Sequence, residues 1–383
     1  MSCLAAPSGN ANGQLGVGDT SDRISPAQVD AASWRAVAAG AHHSLGIRSD
    51  GTLWAWGANS NGQLGLGDTV DRLSPVQVGV DDTWDSISAG GYHSTATKDD
   101  GNITVWVWGR NTEGQLGVGD TTDRTSPTQL APGDIWRVAS AGGYHSVFIR
   151  SDYTLWASGR NGEGQLGLGD TTNRETISQV GSSSWIGVSA GHCHTVAKNL
   201  DNSFAWSWGS NSRGQLGVGD TVNRLSPVQL TAFAISRITA GGDHSIFMDF
   251  DLDGYDKTYS FGANSSGQLG TGDTVDRLVP TLISAYQGSN IGLATGGSHS
   301  AIFSAGFFGP SVLQVWGGNA YGQQGTGDTV DVLTPSTPFS GSWEILSLGA
   351  YHTLGIRDDG TLWAWGSNGT PFWQNFYGQY EVL

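Results

Sequence analysis

The apolar residues of this chain fall in short runs in which alternate positions are equally water-averse. In Thr52 to Trp56, Trp54 and Trp56 point to one side of an extended segment and Leu53 and Ala55 to the other, because successive strand side chains alternate between faces. Both faces are apolar, so the strand must be covered on both sides, as when small sheets pack face to face. Around it the pattern predicts three further strands: one ending at Ser88 or Ala89, one from His93 to Lys98, and one at Pro75 to Val78. Asp50-Gly51 and its equivalents supply the hairpin turn.

The pattern returns seven times. The glycine opening the GQLG or GQQG tetrapeptide falls at Gly13, Gly62, Gly114, Gly164, Gly214, Gly267 and Gly322, so successive copies lie 49, 52, 50, 50, 53 and 55 residues apart. A glycine-rich turn leading into His-Ser or His-Thr keeps the same beat at His43, His93, His145, His194, His244, His299 and His352. A fixed period of this size marks a solenoid or a propeller. Four strands per roughly 50 residues is the content of a propeller blade. The expected fold is therefore an all-β, seven-bladed propeller with four antiparallel strands per blade, residues 1–366 forming one domain and 367–383 an aromatic-rich tail.

The two ends complement each other. Ser8 to Gly16 is a GQLG loop without a WxWG strand before it, and Trp363-Ala364-Trp365-Gly366 is a WxWG strand without a standard GQLG after it. The last strand is expected to share a blade with Ile24 to Val29, closing the ring without a covalent bond and removing exposed sheet edges.

Taken in order, the segments AGGYHS, DGTLWAWG, NSNGQLGLGD and SPVQV resemble the regulator of chromosome condensation repeat family, over nearly all of the chain. The resemblance implies a seven-bladed propeller. It implies less about function, because that family includes exchange factors, photoreceptors, enzyme inhibitors and plain interaction modules.

Charge narrows the choice of partner. With 18 basic against 34 acidic residues and a net charge of -16, the chain lacks the basic footprint of a nucleic-acid surface, and an acidic membrane is disfavoured for the same reason. Two cysteines, Cys3 and Cys193, make no disulfide framework on which stability would depend and leave the compartment open. No run is apolar enough to span a bilayer, and the pattern of a signal peptide is not seen in MSCLAAPSGN.

The sharpest chemical motif is Asp249-x-Asp251-x-Asp253-Gly254. Carboxylates at alternate positions, a glycine for the sharp turn and a following carbonyl at Tyr255 form the first half of a calcium loop. Ser260 stands where an EF-hand has glutamate, and no helices flank the loop. The hairpin is similar to the calcium loops of integrin-type propellers, although those place an acid where Lys257 stands, with Asp256 one place early. Asp249, Asp251, Asp253, Tyr255 and Asp256 are thus a candidate Ca²⁺ set, with an enlarged acidic turn as the alternative. A second enlarged hairpin spans Ser304 to Pro310 in the next unit.

The repeating histidine reads as a buried structural imidazole, because catalysis needs one asymmetric constellation and not seven equal ones. His192 and His194 flank Cys193 on what reads as one strand face and could hold a transition metal, with no third ligand in view. Loop acids such as Asp68 and Asp71, followed by Arg72, read as turn caps and local ion pairs. The plant ultraviolet-B photoreceptor of the family places tryptophan and arginine just before its pentapeptide histidine. Here those places hold Ala41-His42, Gly91-Tyr92, Gly143-Tyr144, Gly242-Asp243, Gly297-Ser298 and Ala350-Tyr351, so no chromophore cluster carries over.

The position before each histidine is nevertheless the most variable in the unit: His42, Tyr92, Tyr144, Cys193, Asp243, Ser298 and Tyr351. By symmetry these residues should ring one end of the axis and offer contact anchors, joined by Phe372, Trp373, Phe376 and Tyr377 of the tail. The expected function is a non-enzymatic propeller that binds protein or builds an assembly, on a virus particle or cell surface, with no required cofactor. Two alternatives come from the resemblance. One is guanine-nucleotide exchange on a small GTPase, for which only the Ser304 to Pro310 loop could serve as a wedge; the other is inhibition of a hydrolase.

Overall fold

A computed structural model describes residues 12–249, 255–287, 291–304, 312–338 and 341–369 of the protein. The strands form seven four-stranded antiparallel sheets arranged around an axis. Blade one shows the plan: Trp34–Ala39 nearest the axis, then His43–Arg48, Leu53–Gly57 and, outermost, Arg72–Gln77. The outer strand begins three residues before the expected Pro75. The pairing steps from Ala55↔Val76 to Gly57↔Arg72, so a bulge lengthens the outer strand relative to its partner.

Each central strand is sandwiched as its two apolar faces require. Leu53 and Ala55 pack with Trp84 and Trp108 of the following blade, whereas Trp56 packs with Leu354, Ile356 and Leu362 of the preceding one. A second tryptophan set stands on the inner strands and meets the first edge to face, as Trp34 does with Trp56 at 5.8 Å. Arg48 lies 5.0 Å from the centre of Trp34 and 3.6 Å from that of Trp54, and pairs with Asp30 at 2.9 Å.

Two closed circles tie the blades together, and a third set of contacts pins one loop within each blade. In the first, the amides of Ala41, Gly91, Gly143, His192, Gly242, Gly297 and Ala350 donate to Gly90, Gly142, Gly191, Gly241, Gly296, Gly349 and Gly40 of the next blade, at 3.0–3.2 Å. The accepting residue is glycine in all seven units. A side chain there would run into backbone: a Cβ on Gly40 would lie 2.7 Å from the Gly90 carbonyl.

The second circle uses the histidines. Nε2 of His43 meets Ser94 Oγ at 2.9 Å, and the pattern continues through His93–Ser146, His145–Thr195, His194–Ser245, His244–Ser300 and His299–Thr353 until His352 meets Ser44 at 3.1 Å. Each hydroxyl in turn donates to a glutamine carbonyl of the GQLG or GQQG loop, Ser44 to Gln14 at 2.7 Å and Thr353 to Gln323 at 2.8 Å among them. A hydroxyl has one proton. Since it is given to the carbonyl, the hydroxyl must accept from histidine, which fixes every imidazole as the Nε2–H tautomer. The seven rings are buried with Nδ1 unpaired, and burial lowers their pKa to about 3, or about 4 for His244.

The third set consists of asparagine locks. The Asn161 side chain accepts from Leu166 N at 3.0 Å and donates to the Asp170 carbonyl at 2.9 Å, while its backbone amide donates to Asn173 Oδ1 at 2.9 Å. In blade seven the same lock is built from both ends of the chain. Asn368 accepts from Leu15 N at 2.9 Å and donates to Asp19 O at 2.7 Å, while Asp22 takes the Asn368 amide at 2.8 Å. Beside it Arg23–Gln28 pairs with Leu362–Gly366, Ala27 facing Ala364. The ring closes between the two segments predicted from sequence.

Candidate partner-binding face

Strand direction assigns the loops to two ends. The turns before the histidines share one end with the GQLG loops, while the Asp-Gly hairpins lie at the other. The first end carries the positions singled out for recognition. They form an arc over four blades, and not an even ring. His42, Tyr92 and Tyr144 stand side by side with ring centres 6.0 Å apart at each step, and His192 follows Tyr144 at 5.9 Å.

His192 enters the arc because it occupies the place held by glycine or alanine in the other units. There its ring lies against Gly143, and the residue just before the strap histidine of this unit, Cys193, is buried. His192 and His194 do not share the strand face that would let them hold a metal together. His192 lies in the turn facing Tyr144, whereas His194 heads a strand and spends Nε2 on Ser245. Among the described residues no three His, Cys, Asp or Glu are grouped to hold a metal.

Arg110 crowns the arc, with its guanidinium carbon 5.1 Å from the centre of Tyr144 and 5.8 Å from that of Tyr92. Its Nε donates to Thr112 at 2.7 Å, and among the described residues it makes no ion pair. Burial raises the Tyr144 pKa to about 12 and raises that of Tyr92, so both phenols are donors at neutral pH. Burial lowers the His42 pKa to about 4, which keeps that ring neutral.

The remaining positions differ from the arc. Asp243 is exposed and receives Gln215 Nε2 at 3.4 Å, Ser298 is half-buried, and Tyr351 meets Tyr321 at 5.4 Å, with burial raising its pKa to about 12. In the first units the corresponding glutamines have no such partner: Gln63, Gln115 and Gln165 are buried with Nε2 unpaired.

The loop acids serve the turns as expected. Asp68 caps Val70 N at 3.0 Å and pairs with Arg72 at 2.6 Å, and five further units repeat the pair. The asparagine locks escaped the sequence reading although their signal was present, an asparagine three residues before each GQLG glycine from Asn59 onward. Of the calcium set, Asp249 is buried and accepts from Lys257 N at 2.9 Å. Asp251 and Asp253, the side chains of Tyr255 and Asp256, the tail residues Phe372, Trp373, Phe376 and Tyr377, and most of the Ser304 to Pro310 hairpin lie outside the described residues.

The architecture is that of a closed propeller whose blades are strapped to one another by repeated histidine contacts, with an asparagine lock inside each blade. The regulator of chromosome condensation (RCC1) repeat model matches residues 50–97, 104–149, 154–197, 204–248 and 256–303, and a second model of the same repeat matches 34–63, 84–115, 138–165 and 345–370. The chain belongs to the RCC1 repeat family.

Among its relatives, the ultraviolet-B receptor UVR8 of Arabidopsis thaliana is 38% identical over 111 residues, 28% of this chain and 24% of that protein. The X-linked retinitis pigmentosa GTPase regulator of Mus musculus is 34% identical over 123 residues, 30% of this chain and 12% of that protein. These matches thus span well under two thirds of either relative. Two solved structures share the fold. Human WBSCR16 superimposes with a TM-score of 0.72 at 22% identity, covering 88% of each chain. Prp20p of Saccharomyces cerevisiae gives 0.71 at 20% identity, covering 88% of this chain and 83% of that one. Among the described residues no helix is long and apolar enough to cross a membrane.

Proposed function

We propose that this propeller is a non-enzymatic protein-binding module and that its partner docks on the arc of His42, Tyr92, Tyr144 and His192 beneath Arg110. The observation that carries this reading is the departure from symmetry: a repeat that is otherwise monotonous places four adjacent rings, and an arginine that makes no ion pair among the described residues, at one end of its axis. Stiff aromatics and arginine are the side chains that dominate protein contacts, since they bury much area at little entropic cost. The test is co-purification with wild-type protein and with Arg110→Glu and Tyr92→Ala variants of unchanged Tm. A partner recovered with wild type and lost with both supports the reading, and a partner retained by both contradicts it.

The second reading, nucleotide exchange on a small GTPase, draws on the likeness to Prp20p, whose structure was described together with its binding to Gsp1p and histones. At that identity the likeness supports the fold alone. A nucleotide-release assay with the purified protein decides it. Calcium at the 249–256 hairpin is a separate proposal, and binding heat on addition of Ca²⁺ with a fall in Tm on chelation would support it.

A further inference from the structure

The end of the propeller away from the arc holds a feature that the repeat does not explain. Strand pairing sets Val138 opposite Ile149, Gly187 opposite Lys198, Arg237 opposite Met248 and Gly292 opposite Phe303, so these pairs stand at one level in blades three to six. The place of Lys198 is held in the other blades by Ile47, Thr97, Ile149, Met248, Phe303 and Ile356, none of them charged. Arg237 likewise stands where the flanking blades have Gly187 and Gly292 and the others Ala36, Ser86, Val138 and Ile345, all uncharged.

The two glycines leave space on either side of Arg237. The result is a cavity of about 390 Å³ beside the axis, within the range of small-ligand sites. Among the described residues Lys198 and Arg237 are the only charged groups that line it, and its walls include Ile186, Val188, Leu293 and Phe303. Among the described residues neither cation makes an ion pair.

Lys198 Nζ reaches the carbonyl of Ser236 at 3.4 Å, which brings the ammonium beside the residue next in chain, Arg237. Burial and then the charge of Arg237 lower the Lys198 pKa, so each cation is less comfortable for the presence of the other. In a protein of net charge -16, two like charges set together where the fold elsewhere uses uncharged residues call for a compensating anion.

We propose that this cavity binds a small organic oxyanion, a phosphate or carboxylate group held by Lys198 and Arg237 on an apolar body that packs against Leu293 and Phe303. The site is remote from the aromatic arc and does not depend on what that arc binds.

The test uses the full chain with phenyl phosphate as probe, and with inorganic phosphate and chloride at equal ionic strength for comparison. Calorimetry should give a single saturable site for phenyl phosphate, bound more tightly than inorganic phosphate, with a Tm rise that chloride does not reproduce. Lys198→Ile, which installs a side chain that three other blades use at this level, should raise Tm without ligand and weaken binding at least tenfold. Lys198→Gln and Arg237→Val should weaken it similarly. The proposal is overturned if wild type shows no response beyond that of chloride, or if the three variants bind phenyl phosphate as wild type does.

Discussion

His352 in the last blade points Nε2 at Ser44 Oγ of the first, 3.1 Å away across 308 residues of sequence. The contact has the same partners and sense as the six between consecutive blades, so the junction between the chain's two ends is strapped like every other. The hydroxyl is pivotal because it meets the preceding blade twice, accepting from its histidine and donating to its glutamine loop.

That role makes the hydroxyl more important than its size. Ser146→Ala leaves the buried Nε2–H of His93 without an acceptor and should lower stability by about 1–3 kcal/mol. Ser146→Thr should cost much less, since Thr195 and Thr353 already play the part in two blades. Urea melts of the two variants check it, and equal losses would show that the contact is incidental.

Acid should dismantle the ring. The strap histidines have pKa values of about 3 to 4 when folded and return to about 6.5 on unfolding, so the unfolded chain binds protons that the folded chain refuses. Stability is therefore full above about pH 6.5 and falls as pH drops from there towards 3, at up to about 1.4 kcal/mol per pH unit for each imidazole. Tm measured from pH 8 to 4 should be level at first and then fall steeply. A Tm that stays level to pH 4.5 contradicts the burial of seven neutral rings.

Removing a lock within a blade and removing the one at the closure should have different reach. Asn161→Ala and Asn368→Ala each leave a buried leucine amide unpaired, at a cost of about 1–3 kcal/mol. Only Asn368→Ala should speed hydrogen exchange in Arg23–Gln28, because only that lock joins the two ends of the chain. Asp22→Asn should be mild, since Asn173 and Asn223 do the same work in blades three and four.

On the aromatic face, Tyr144 and Tyr351 should keep their phenolic protons to about pH 12. Ultraviolet titration should show a late phase that shrinks with Tyr144→Phe. Loss of all late titration without unfolding would mean that these rings are more exposed than described.

The repeat made the architecture legible. Seven glycine-led tetrapeptides gave the blade number, the doubly apolar Trp54-Ala55-Trp56 run gave the sandwiched strand, and the unmatched halves at the ends gave the closure. The outer strand was misplaced at Pro75 because a bulge after Ala55 shifts the pairing, which no local pattern announces. The even recognition ring became an arc because His192 takes a glycine's place and Cys193 turns inward. Lys198 and Arg237 are unremarkable in sequence. They stand out only once pairing shows which isoleucines and glycines they replace.

The strap of neutral histidines is tested most directly by histidine-selective ¹⁵N NMR. Of the nine histidines, seven should show slowly exchanging Nε2–H protons and unprotonated Nδ1, with shifts constant from pH 8 down to the onset of unfolding. Histidines that titrate near pH 6.5 in the folded protein, or that carry the proton on Nδ1, would contradict it.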